Sequence, residues 1–89
     1  MQNKNKIYKT DSYYLSCYLL AAGCELSGLE PLFSGSEKFI FCFFETDNLH
    51  FLVKDYYSLQ ATVRPQDFAN AQKTLKSIIY SKKKGSNNG

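Results

Sequence analysis

Glu37-Lys38-Phe39-Ile40-Phe41-Cys42-Phe43-Phe44-Glu45 places six consecutive apolar residues between charged flanks. A continuous apolar run of this length after the turn residues Ser34-Gly35-Ser36 reads as a β-strand. Side chains alternate along a strand, so Phe39, Phe41 and Phe43 share one face and Ile40, Cys42 and Phe44 the other. Both faces are apolar. A small antiparallel sheet usually buries one face and wets the other. The run therefore sets the fold class and raises the question of what covers its second side.

Upstream, Cys24-Glu25-Leu26-Ser27-Gly28-Leu29-Glu30-Pro31 alternates imperfectly between polar and apolar. It fits a strand wetted on one face, bulged near Gly28, and Pro31 suits an edge or a strand end because it cannot donate to a ladder. The two runs read as a β-hairpin. Further upstream, Ile7-Tyr8-Lys9-Thr10 is a short β-prone stretch, and Thr10 or Asp11 offers a capping oxygen for a helix over 12–22. Leu15, Tyr18, Leu19 and Ala22 form its apolar stripe, and Gly23 suits a left-handed end.

Downstream, Thr46-Asp47-Asn48 caps a second helix over 48–57, with Leu49, Leu52, Val53 and Tyr56 on one face. Residues 59–63 read as extended, Thr62 and Val63 being the most strand-like. Pro65 fits the first turn of a third helix over 65–81, whose stripe is Phe68, Ala71 or Gln72, Leu75, Ile78 and Ile79. Residues 1–6 and 82–89 read as loose ends. The order predicts one α+β domain over 7–81, with three helices on an antiparallel-rich sheet of three to four strands.

At 89 residues the chain has room for one core. Aromatic residues make up 16% of it, which excludes a disordered chain. The longest apolar runs, 18–24 and 39–44, fall short of the roughly 18 residues a bilayer span needs. Met1-Gln-Asn-Lys-Asn-Lys6 has no apolar stretch behind its lysines, so no export signal is read. The net charge of +3 comes from the ends: Lys4, Lys6, Lys82, Lys83 and Lys84. Between Ile7 and Ser81 six basic residues meet eight acidic ones. Such ends chiefly keep a small protein soluble.

Cys17, Cys24 and Cys42 are odd in number, which argues against a disulfide framework and for a reducing cytoplasm. With His50 they have the inventory of a Cys3His zinc site, but no two are a short loop apart, as structural zinc ligands are. No metal and no cofactor are expected. Cys42 with His50 as nucleophile and base, oriented by Asp47 or Asp55, rests on inventory alone, and an apolar strand makes a thiol inert. Glu45 and Asp47 sit at a strand-to-helix junction, where acidic residues serve as caps. Gly23, Gly28 and Gly35 are isolated and form no phosphate loop. No catalytic residue is assigned.

One resemblance covers nearly all of residues 7–81. Ile7-Tyr8-Lys9-Thr10-Asp11-Ser12 leads into Tyr14-Leu15-Ser16-Cys17-Tyr18-Leu19-Leu20-Ala21-Ala22-Gly23. The aromatic strand ends in Glu45-Thr46-Asp47, and Val63-Arg64-Pro65 precedes a helix holding Leu75-Lys76-Ser77-Ile78-Ile79-Tyr80. This pattern resembles a small uncharacterised domain of unknown function encoded by bacteria, mobile elements and phages. The family tends to carry an acidic cap before the proline, where this chain has Arg64. The resemblance implies no activity and brings no catalytic residues.

About forty helical residues do not readily cover both faces of the aromatic strand, and a large bare apolar patch marks an interaction surface. The expected function is therefore that of a non-enzymatic phage or bacterial accessory protein acting by protein association, as a homodimer. Phe39, Phe41 and Phe43 are the expected contacts on whichever row the helices leave bare. Tyr13 and Tyr57, off the apolar stripes of their helices, come second. The alternative is a weak single-stranded nucleic-acid binder that stacks bases on the sheet aromatics and uses the lysine ends. It is disfavoured because only Lys38 adjoins the aromatic run. A membrane partner is not expected.

Overall fold

The computed structural model describes residues 6–86. The most apolar segment becomes the middle strand. β3 (Phe39–Phe44) lies between β1 (Ile7–Thr10) and β2 (Leu26–Pro31), antiparallel to both, in the order β1-β3-β2. Phe41 is flanked by Thr10 and Leu29, and Cys42 by Lys9 and Gly28. Between Leu26 and Gly28 the register slips, so Ser27 is the extra residue of a bulge. Pro31 ends β2 on the sheet edge, as its missing N–H requires.

The helices are α1 (Tyr13–Ala21), α2 (Asp47–Tyr57) and α3 (Pro65–Ser86). Ser12 caps α1: its hydroxyl accepts from the Leu15 N–H at 3.1 Å. The expected caps, Thr10 and Asp11, do not fill that place. Thr10 ends β1, and its hydroxyl instead accepts from the Ser12 N–H at 3.1 Å, holding the strand exit. Thr46 caps α2 through the Leu49 N–H at 3.0 Å, within the cluster expected to do so. In the first turn of α3, Arg64 Nε lies 2.9 Å from Asp67 Oδ2. The charge order before the proline is thus reversed, yet the turn is still bridged.

α1 is the middle helix. Five consecutive residues, Leu15 to Leu19, are buried, because helices flank it and the sheet lies beneath it. Ser16, the buried polar residue among them, donates to the Ser12 carbonyl at 2.8 Å. The core joins Leu15, Cys17, Tyr18 and Leu19 to Phe41 and Phe43 of β3, Leu29 of β2, Leu49 of α2, and Ala71 and Leu75 of α3.

Two expectations need correction. Residues 59–63 form no strand, and among the described residues the sheet has three strands. The Gln60 and Ala61 N–H groups both donate back to the Asp55 carbonyl, at 2.8 and 3.1 Å, so the segment wraps the end of α2 instead of extending. α3 runs on to Ser86, beyond the expected end at 81. Lysine is a good helix former, and nothing in Ser81-Lys82-Lys83 breaks the pattern. The expected loose ends at 1–5 and 87–89 lie outside the described residues.

Candidate interaction surface

Packing decides which strand face is free. Phe39, Phe41, Phe43, Tyr8, Leu26 and Leu29 all face the helices and join the core or pack against it. Phe43 is 0% and Phe41 4% exposed, so neither offers surface to a partner. This corrects their expected role. All three helices chose one side of the sheet, and it was this row. Phe39, half-buried at the start of β3, lines a cleft of about 490 Å³ with Pro31, Glu37, Lys82 and Lys83. Tyr13 is also half-buried. Its hydroxyl donates to the Gln72 carbonyl at 3.4 Å and its ring packs against Phe41, which ties α1 to α3.

The opposite face carries Ile7, Lys9, Gly28, Glu30, Ile40, Cys42 and Phe44, by the strand register. No helix covers it, and none of its apolar residues joins the core cluster. Yet Cys42 is only 5% exposed. Lys9 Nζ and Glu30 Oε2, from the two outer strands, meet at 3.1 Å, and their stems shield the central strand between them. Burial, and then the Glu30 carboxylate, push the Cys42 thiol up from its ordinary pKa. Among the described residues, none of the eight exposed large apolar side chains lies on this face. The ion pair thus crosses the second apolar row at its middle, where Cys42 is buried, and leaves Ile7, Ile40 and Phe44 half-buried.

The exposed apolar groups lie instead on helices and loops. Phe51 (67%), Tyr57 (64%) and Leu59 (89%) come from α2 and the turn that ends it. Tyr57 is therefore the one expected contact that stands well out from the surface. Its ring packs edge-on to Tyr56, with centroids 5.2 Å apart. The phenol of Tyr8 in β1 is pushed up by burial and then by Tyr57. His50, one helical stretch before Tyr57, meets the Tyr8 ring edge-on at 6.2 Å and places Nε2 3.6 Å from Glu45 Oε1. Tyr8 and His50 lie on the helix side of the sheet and Cys42 on the other, so no Cys42–His50 pair is assembled.

Leu59 was missed in the sequence. The α2 end has the Leu59 N–H on the Tyr56 carbonyl and the Gln60 N–H on the Asp55 carbonyl. The α1 end has the same pair: Gly23 N–H on Leu20 O and Cys24 N–H on Leu19 O. This arrangement needs a left-handed residue after the cap. In α1 it is Gly23 at φ 95°, and in α2 it is Leu59 at φ 63°. The signal was available in principle, since no glycine follows Tyr57 where a helix stop is needed.

Among the described residues, no group of three or more His, Cys, Asp or Glu side chains gathers to hold a metal ion. Cys17, Cys24 and Cys42 are free thiols, each pushed up chiefly by burial. No helix among the described residues is long and apolar enough to cross a membrane.

Against known proteins, one family model matches residues 5–81; its description is Domain of unknown function (DUF5659). No curated protein and no solved structure matches the chain.

Proposed function

We propose that this chain, which belongs to the DUF5659 family, is a non-enzymatic accessory protein of a phage or bacterium that works by binding protein, as a homodimer. The observation that carries this reading is the exposure of three large apolar side chains on α2 and the turn that ends it: Phe51, Tyr57 and Leu59. A leucine with φ near 63° and almost no cover costs backbone energy without gaining burial in the monomer. Covering it on association recovers that loss. Tyrosine and phenylalanine are enriched in interface cores, and a handful of such anchors carries most of a binding energy. Three free thiols, raised in pKa and so held protonated near neutrality, suit a reducing cytoplasm.

Light scattering across concentration at low and high salt tests the reading. The expected result is twice the chain mass of 10.2 kDa, held or strengthened as salt rises. Replacing Phe51 and Tyr57 together by Ser should raise the dissociation constant at least ~10-fold with the circular dichroism unchanged. A chain that stays at 10.2 kDa throughout, and still binds no protein, removes the reading. The second reading has one observation in its favour: Lys82 and Lys83 border the cleft that Phe39 lines. Single-stranded nucleic acid bound there would show as an oligonucleotide shift that fades steeply with salt.

A further inference from the structure

The two outer strands differ in how they treat their open edges. β2 is blunted by a bulge at Ser27 and by Pro31, both common devices against edge pairing. β1 has neither. Its ladder direction follows from the Glu45 N–H, which donates to the Lys6 carbonyl at 3.1 Å opposite it in register. Bonding alternates along an antiparallel pair, so Lys6, Tyr8 and Thr10 turn their backbone groups to β3. The N–H and C=O of Ile7 and Lys9 therefore point off the sheet, and among the described residues no hydrogen bond reaches them.

We infer that the second copy docks through this edge: two Ile7–Thr10 strands lie antiparallel across a two-fold axis at Tyr8, joining two sheets into one. The inference rests on the association reading above and names its partner and geometry. The register closes on itself. With Tyr8 facing Tyr8, the outward groups of Ile7 meet those of Lys9 in the other copy, and the reverse, so every outward donor finds an acceptor. No like charges oppose, since Lys9 faces Ile7 and Lys6 faces Thr10. Tyr8 also meets the His50 ring of α2 edge-on, so the edge adjoins the helix that carries the exposed Phe51 and Tyr57. A strand of another protein could match the backbone groups, but only a second copy supplies this two-fold register.

The design of the test uses the direction of the Lys9 N–H. Proline is tolerated where an edge N–H faces solvent, so Lys9→Pro spares the β3 ladder while removing the outward donor. Lys9→Ala loses the ion pair to Glu30 and the stem, as Lys9→Pro also does, but keeps the donor, so the two differ in the outward N–H. Sedimentation from about 10 µM to about 1 mM covers the range expected of so short a pairing. The expected result is a dimeric wild type and Lys9→Ala, with the Lys9→Pro dissociation constant raised about 100-fold. In the wild type, the Ile7 and Lys9 amides should exchange with deuterium more slowly as concentration rises, a readout independent of whether Lys9→Pro folds. A dimer whose Ile7 and Lys9 amides ignore concentration overturns the edge docking and leaves the association reading standing. A wild type monomeric at every concentration overturns the self-association of both.

Discussion

Leu59 is the residue most at odds with its place. The turn ending α2 demands a left-handed backbone, which costs a side-chain-bearing residue about 1–2 kcal/mol, and Leu59 meets it at φ 63°. Gly23 meets the same demand at the end of α1 without that cost. Leu59→Gly should therefore stabilise the monomer by up to about 1 kcal/mol, partly offset by the freer unfolded chain. Denaturant unfolding measures the change, and a loss of stability refutes the assignment of strain. The same variant should weaken association, since the side chain it removes is the most exposed leucine. A gain in fold stability with a loss in binding is the signature of a residue kept for its surface.

At the scale of elements, the sheet covers the middle of its own second face at Cys42. The Lys9–Glu30 pair joins the two edge strands over the central one, with the bulge and Gly28 leaving room beneath. Both side chains are half-exposed, and such a pair contributes little stability. Its role is cover. Glu30→Ala should leave the unfolding midpoint almost unchanged while speeding iodoacetamide alkylation of Cys42 severalfold. The carboxylate both shields the thiol and pushes its pKa up, so its removal acts twice in one direction. Cys17, fully buried in α1, serves as the internal reference and should stay protected. If Cys42 reacts no faster, the stems are not what covers it.

Much of this level was legible in the sequence. The strand centre, the bulge near Gly28, the Thr46 cap and the proline start of α3 each follow from a local steric or hydrogen-bonding rule. The caps at Thr10 and Asp11 failed because three neighbouring residues carry competing oxygens, and which of them sits at the helix start depends on where β1 ends. The strand at 59–63 failed because the Asp55 carbonyl captured the N–H groups a ladder would have used. The contacts at Phe41 and Phe43 failed for a different reason. Alternation defines two rows but does not say which one the helices will choose.

For the whole molecule, burial of weak acids sets the response to pH. Cys17, Cys24 and Cys42 are raised from 9.0, and Tyr8, Tyr13 and Tyr18 from 10.0, each chiefly by burial. As pH rises, the unfolded chain releases these protons before the folded one does. It then binds fewer protons, so stability falls with pH. The contribution is fully present below the unfolded values and is lost on climbing through them toward the folded ones. Thermal melts should hold level near neutrality and fall progressively once pH passes 9.0. A melting temperature unchanged beyond pH 10.0 would contradict the burial of these groups.

The amino-acid order alone determined the α+β class, the hairpin around Ser34–Ser36 and the two-sided greasiness of 39–44, because these depend on periodicity and on residues next to one another. Tertiary structure alone decided which phenylalanines became core, how Cys42 in the other row was covered and where the remaining apolar surface emerged. The Lys9–Glu30 cover and the exposure of Phe51, Tyr57 and Leu59 come from segments brought together or left apart by packing. A local pattern cannot encode that choice, since either row of β3 could have taken the helices.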